Sequence, residues 1–312
     1  MARAPDRLGT RHLLSVADLT GREVLHLLAR AGELKRGGEG RILEGKLLAL
    51  MFEKPSLRTR VSFEAAMHQL GGRAIYLSQA EVGLGQREPI ADVARVLGRY
   101  VDGIVVRTFA QDSVRELAQH AGVPVVNGLT DDEHPCQALA DFLTIQEKRG
   151  GPSGVSLAYV GDGNNVAHSL MLGAALLGMD FRIAGPPGFG PRDEITGRAM
   201  ELASRNGARI EVMTEPQRAV AGADVVYTDV WTSMGREEEA VRRRQAFSGY
   251  QVDAALLGLA GRDAIFMHPM PAHQREEIAE GLLDKPQSVV FDQAENRLHV
   301  QKALLAELLG GR

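Results

Sequence analysis

The sequence predicts an α/β protein of two domains, each a parallel β-sheet flanked by helices, with the C-terminal helix crossing back to the first domain. Three observations lead there. The 312 residues exceed one ordinary core and suit two domains of roughly 150 residues each. Apolar strand-like runs alternate with helix-like segments in both halves, the order that parallel sheets with crossover helices require. Between the halves, Gly150-Gly151-Pro152-Ser153-Gly154 collects residues that neither helix nor strand tolerates, which sets the domains at residues 1–150 and 151–312.

The first element, Lys46–Phe52, is an apolar run that reads as a buried strand. Pro55-Ser56 then turns the chain, and Ser56 supplies the N-cap of a helix running to Leu70. Strand-length apolar runs recur at Ala74–Leu77, Gly103–Arg107 and Pro124–Asn127. Helical patterns at Glu88–Tyr100, Ser113–His120 and His134–Arg149 interleave with them, completing four β-α units. After the break the alternation restarts, with strands at Ser156–Val160, Asp180–Ala184, Arg209–Met213, Asp224–Thr228 and Ala264–Met267. The last segment, about Arg297 to Leu309, is amphipathic and has a face to bury on the first domain.

A net charge of −4, with both signs mixed along the chain, leaves no basic face for nucleic acid, so small molecules are the expected partners. The single cysteine, Cys136, excludes an intrachain disulfide and a cysteine-cluster metal site, and fits a reducing cytoplasm. No apolar run reaches about eighteen residues, and Met-Ala-Arg-Ala-Pro-Asp-Arg at the start lacks the apolar core of a signal peptide. A soluble, cytoplasmic protein with no membrane partner is expected.

In open parallel sheets, ligands bind beyond the carboxyl ends of the strands, so polar residues just past a strand carry weight. Ser56-Leu57-Arg58-Thr59-Arg60 is the densest such place. It puts two guanidiniums and two hydroxyls at a helix start, where unpaired N–H groups and the helix dipole favour a dianionic phosphate. Read alone, it also describes a capped helix with two solvated arginines. Arg107 ends a strand, either as a ligand or as a surface ion-pair partner. His134 and Gln137 share a helix face at i, i+3 spacing, as a cap or as part of a pocket. Gly161-Asp162-Gly163-Asn164-Asn165 sits where a nucleotide-binding protein carries Gly-x-Gly-x-x-Gly, but the third glycine position is Val166, which counts against a dinucleotide. Asn164 and Asn165 instead offer amides to a carboxylate or a zwitterion. Asp229, heading Asp229-Val230-Trp231-Thr232-Ser233-Met234-Gly235, offers a carboxylate to an ammonium, or an N-cap.

Together these segments resemble the aspartate/ornithine carbamoyltransferase family over nearly the whole chain. Phe52-Glu53-Lys54-Pro55-Ser56-Leu57-Arg58-Thr59-Arg60 is similar to the carbamoyl-phosphate signature of that family. Ala91-Asp92-Val93-Ala94-Arg95-Val96-Leu97 and His134-Pro135-Cys136-Gln137-Ala138-Leu139-Ala140-Asp141 continue it in order. The asparagine-bearing loop at 161–165, Asp229 with Ser233-Met234-Gly235, and Ala294-Glu295-Asn296-Arg297 resemble the ornithine branch. The resemblance implies a carbamoyl-phosphate-binding first domain and an ornithine-binding second domain. It implies transfer of the carbamoyl group to the δ-amine of L-ornithine, giving L-citrulline and phosphate in arginine biosynthesis. The implied assembly is a homotrimer or a larger assembly of trimers, with no metal or organic cofactor.

By the same resemblance, Ser56, Leu57 through its backbone, Arg58 and Thr59 hold the phosphate, and Arg107 bridges phosphate and carbonyl oxygen. His134 and Gln137 complete the carbamoyl pocket, with Pro269, Met270 and Arg297 also facing carbamoyl phosphate. Arg58, Arg107 and His134 are the implied catalytic residues. Asn165, Asp229, Ser233 and Met234 are implied to orient ornithine.

Three positions depart from the ornithine pattern. Leu57 stands where threonine is usual. His268-Pro269-Met270-Pro271 replaces His-Cys-Leu-Pro, which removes a thiol and is closer to the aspartate enzymes. Gly83 stands where the family carries Gln or His, so the loop reads either as solvated or as one in which Gln86 or Arg87 substitutes. These departures leave open another amine substrate, such as putrescine or an acylated ornithine, and a catalytically silent regulatory homologue. A nicotinamide-dependent dehydrogenase is opposed by Val166 and by the phosphate-type first half.

Overall fold

Two separate parallel sheets organise the chain. The computed structural model describes residues 8–37, 40–233, 235 and 237–310. One compact unit contains the residues up to Leu143 together with those from Asn296, and the other is Thr144–Glu295.

The first unit contains α1 (Gly21–Lys35), β1 (Leu47–Phe52), α2 (Leu57–Gln69), β2 (Arg73–Ser78), α3 (Gln79–Val82), α4 (Ile90–Leu97), β3 (Gly103–Arg107), α5 (Gln111–His120), β4 (Val125–Leu129) and the start of α6 (Pro135–Arg149). Its strands lie in the order β2-β1-β3-β4, all parallel. β3 is buried throughout and β1 nearly so, because helices cover both faces of such a sheet. Ala49 and Met51 of β1, with Ile104 and Val106 of β3, pack on one face against Val93 of α4 and Val114 and Leu117 of α5. The sequence pattern did not include α1, although the helix carries a clear start signal. Thr20 Oγ1 accepts from Glu23 N at 3.3 Å, and the Glu23 carboxylate accepts from Thr20 N at 2.7 Å.

The second unit continues with β5 (Ser156–Val160), α7 (Asn165–Leu177), β6 (Asp180–Ala184), α8 (Asp193–Asn206), β7 (Ile210–Met213), α9 (Pro216–Val220), β8 (Val225–Thr228), α10 (Ala240–Ala246), α11 (Ala254–Leu257), β9 (Ile265–Met267) and the start of α12 (Val290–Leu309). The sheet order is β7-β6-β5-β8-β9, again all parallel. Ala158, Val160, Val226 and Phe266 face one core, while Tyr159 and Tyr227 stack at 5.7 Å between ring centroids.

The last helix begins at Val290, earlier than the amphipathic pattern from about Arg297 indicates. Its opening turns bury a polar residue, which hides them from an apolar pattern. Gln293 accepts from His268 N at 2.9 Å and donates to Tyr227 Oη at 3.1 Å. From Asn296 onward the helix packs within the first unit, as expected. Lys302 Nζ donates to Leu34 O at 3.0 Å and to Gln69 Oε1 at 3.1 Å, and His26 lies 3.0 Å from Glu307. β3 starts at a glycine for the same reason: a Cβ on Gly103 would fall 2.9 Å from Leu309 Cδ2.

Each sheet reverses its direction of growth once. β2 and β3 flank β1, and β6 and β8 flank β5, so the chain crosses back over β1 and over β5. The pairs β1/β3 and β5/β8 are therefore topological switch points, beyond whose carboxyl ends a crevice forms.

Candidate active site

At the β1/β3 switch point, Ser56 adopts an extended conformation and caps α2. Its Oγ accepts from Thr59 N at 3.3 Å and lies 3.0 Å from Thr59 Oγ1. The N–H groups of Leu57 and Arg58 have no intrahelical acceptor at this end. The Leu57 side chain is 76 % exposed, so its backbone is what it offers the helix start. Arg58 is exposed.

Arg107 closes β3 and is buried, with Nε donating to Lys54 O at 3.1 Å. It is not a surface ion-pair residue. Burial, followed by the charges of Arg297 and Arg58, brings its pKa down to about 9. Arg297 reaches the same place from α12. Its Nη2 donates to Thr59 Oγ1 at 2.9 Å and its Nη1 to Gln137 Oε1 at 3.1 Å. Gln137 Nε2 donates in turn to Asp141 Oδ1 at 2.9 Å, which holds its amide oxygen toward Arg297. His134 is buried, and burial, then Arg297 and Arg107, push its pKa well below the usual histidine range. A neutral imidazole results, able to donate without carrying charge. Ser56, Arg58, Thr59, Arg107, His134, Gln137 and Arg297 thus converge within the first unit. Cations gathered in this way repel one another, and an anion entering among them relieves that repulsion.

At the β5/β8 switch point of the second unit, buried Asp229 follows β8. Its Oδ1 accepts from Val230 N at 2.8 Å and its Oδ2 from Asn164 Nδ2 at 2.7 Å. Burial raises the Asp229 pKa against the opposing pull of His268 and these hydrogen bonds. Asn164 also caps α7, its Oδ1 accepting from Val166 and Ala167 N–H at 3.0 and 3.1 Å. Asn165 is the first residue of α7, and Ser233 lies half-buried in the loop after β8; Met234 falls outside the described residues. Asn164 thus joins the start of α7 to Asp229.

His268 ends β9 fully buried. Its Nδ1 accepts from Met270 N at 2.9 Å, which leaves the proton on Nε2, facing Glu277 Oε1 at 3.2 Å. Pro269 sits inside this braced turn, Met270 has φ 57°, and the Met270–Pro271 peptide is cis. Glu277 lies nine residues beyond His268, and no local pattern in the sequence links the two.

The two glycines of the 161–165 loop answer to the chain's own backbone. Gly161 has φ 145°, and a Cβ on Gly163 would fall 2.1 Å from Pro191 N. Gly83 caps α3 in the left-handed region, with exposed Gln86 and Arg87 beyond it. Among the described residues, His273, Glu276 and Glu277 bring three potential ligand atoms within 4.8 Å of one another, but Arg244 pairs with Glu276 at 2.9 Å and His268 with Glu277. Also among the described residues, no helix is long and apolar enough to cross a membrane.

Comparison with known proteins decides the family. Residues 11–147 match the aspartate/ornithine carbamoyltransferase carbamoyl-P binding domain, and residues 153–308 match the Asp/Orn binding domain. The chain belongs to the aspartate/ornithine carbamoyltransferase family. Among family members, it is 53 % identical over 300 residues to the ornithine carbamoyltransferase of Gloeobacter violaceus, covering 96 % of each chain. It is 50 % identical over 308 residues to the anabolic ornithine carbamoyltransferase of Pyrococcus furiosus, covering 97 % of this chain and 98 % of the other. The solved Pyrococcus furiosus structure superimposes with a TM-score of 0.95, covering 99 % of this chain and 100 % of that one. Family membership accounts for two parallel sheets, one in each matched domain.

Proposed function

We propose that this chain transfers the carbamoyl group of carbamoyl phosphate to the δ-amine of L-ornithine, forming L-citrulline and phosphate in arginine biosynthesis. The observation that carries the reading is the convergence of Arg58, Arg107 and Arg297 on the capped start of α2, beside a neutral His134. Ser56, Thr59, Arg58 and the Leu57 N–H take the phosphate; Gln137 holds Arg297 toward it. Attack by the neutral amine forms the C–N bond and moves charge onto the carbonyl oxygen, where Arg107, His134 and Thr59 are donors. The C–O bond to phosphate then breaks, the proton lost by the amine ends on the departing phosphate, directly or through solvent, and hydrogen phosphate leaves the guanidiniums as a dianion. Pro269 and Met270 offer backbone carbonyls to the carbamoyl group. Asp229 takes the α-ammonium of ornithine, with Asn165, Ser233 and Met234 completing its recognition.

The protein acts as a trimer or an assembly of trimers in the cytoplasm. Exposed Leu57 and Val61, one helical turn apart on α2, support an association face, and sedimentation measures it. The reaction is tested by phosphate release from carbamoyl phosphate with ornithine, aspartate, putrescine, lysine and N-acetylornithine. Ornithine is expected to dominate. Preference for putrescine or N-acetylornithine replaces the substrate, and no release with any amine identifies a silent homologue.

A further inference from the structure

The amino-acid half-site is made by two loops, the one after β5 with Asp162 and Asn164 and the one after β8 with Asp229, Trp231 and Ser233. One buried cation joins them. Arg243, on α10, is 2 % exposed. Its Nη1 donates to Asp162 Oδ2 at 2.9 Å and to Trp231 O at 2.9 Å, while its Nε donates to Glu239 Oε2 at 2.8 Å. Asp162 lies two residues before Asn164, and Trp231 two residues after Asp229. A single nitrogen therefore brackets the Asn164–Asp229 hydrogen bond. The guanidinium rests 5.1 Å from the Phe189 ring centroid, and Trp231 stacks on Phe247 at 5.7 Å, so the fork is held in place by packing.

We propose that Arg243 is a positioning residue for the amino-acid substrate, fixing the Asp229–Ser233 segment against Asn164 and so setting the affinity for the amine. The inference rests on the function proposed above. A guanidinium suits the task because its planar fork reaches several acceptors at once, which an ammonium on a flexible stem does not. Burial works against its charge, and Asp162 and Glu239 more than compensate, so the fork stays cationic.

A structural ion pair alone would affect folding and spare substrate selection. The test compares wild type with Arg243→Met, Arg243→Lys and the double variant Arg243→Met/Asp162→Asn, which leaves no lone buried carboxylate. For both methionine-bearing variants, KM for the amine should rise by at least about tenfold, the scale of one lost charge-assisted hydrogen bond. KM for carbamoyl phosphate should stay within about twofold on the same free-energy scale. Arg243→Lys should lie in between. The double variant should regain thermal stability without regaining amine affinity. Wild-type amine KM in the folded double variant, or equal rises in both Michaelis constants, overturns the assignment. If wild type carbamoylates an amine other than ornithine, the proposed substrate is wrong, and the same comparison with that amine still tests Arg243.

Discussion

Asn164 Nδ2 donates to Asp229 Oδ2 at 2.7 Å, joining the cap of α7 to the first residue beyond β8. Burial raises the Asp229 pKa, so its ionised form is disfavoured in the folded chain. The sign follows from linkage. The cost is absent below the unfolded carboxylate value near about 4, grows as pH rises, and is complete above the raised folded value. Asp229→Asn keeps an oxygen to accept from Asn164 while removing that charge. Ligand-free Tm should be unchanged or higher, with the gain over wild type growing from pH 4 toward neutrality. Ornithine KM should rise strongly and carbamoyl-phosphate KM little. Thermal melts across pH and two-substrate kinetics check this; a lower Tm at neutral pH makes the carboxylate structural.

Arg58 is exposed at the start of α2, so its loss should leave the fold intact. Arg58→Ala should lower carbamoyl-phosphate turnover by orders of magnitude, because each charge-assisted bond from a guanidinium is worth about 1.5–3 kcal/mol. Carbamoyl-phosphate affinity matching wild type would remove Arg58 from the site.

The lowered pKa of Arg107 makes the folded chain less stable wherever that group is charged. The cost is full below about 9 and is lost as pH rises toward the ordinary guanidinium range. An anion between the guanidiniums reverses it. Inorganic phosphate should therefore raise Tm near neutral pH, by an amount equivalent to about 2.7 kcal/mol at a hundredfold excess over Kd. Arg297→Met should abolish most of that shift. Equal shifts in both proteins place the phosphate elsewhere.

Pro269 has no N–H and no side-chain donor, so it cannot take a proton from the amine. Burial holds the His134 pKa well below the usual histidine range, so its neutral form is favoured near neutral pH. For ornithine, kcat/KM should climb through about pH 8 to 9 with the neutral-amine fraction. Pro269→Cys should be active as well. Cys136 is buried and its thiol is pushed up to about 12, so wild type should resist alkylating reagents that act on the new thiol. Activity gained only with the cysteine would make this chain the silent homologue.

Legibility tracked burial. β1 and β3 were readable almost to the residue because strands covered on both faces are unbroken apolar runs. α1 escaped because no strand precedes it, although Thr20-x-x-Glu23 marks its start. Polar residues at or shortly past strand ends stood out, among them Ser56, Arg107 and Asp229. Residues acting across the chain did not. Asn164 and Asn165 are neighbours, and only the cap geometry decides which amide meets Asp229. Arg243 stands within Arg242-Arg243-Arg244, a run that reads as a solvated face until its middle member is found buried.

Thr59 and Arg297, bonded at 2.9 Å, are separated by 238 positions along the chain. A ribosome adding roughly 5–20 residues per second makes the second tens of seconds after the first. Until Arg297 is added, the first unit lacks the guanidinium that engages Thr59 and Gln137. The second unit, drawn from one uninterrupted stretch, is free to fold as soon as it is made. The unit whose chain begins first is thus completed only after the residues of the other have been made, when Asn296 and those beyond it join it.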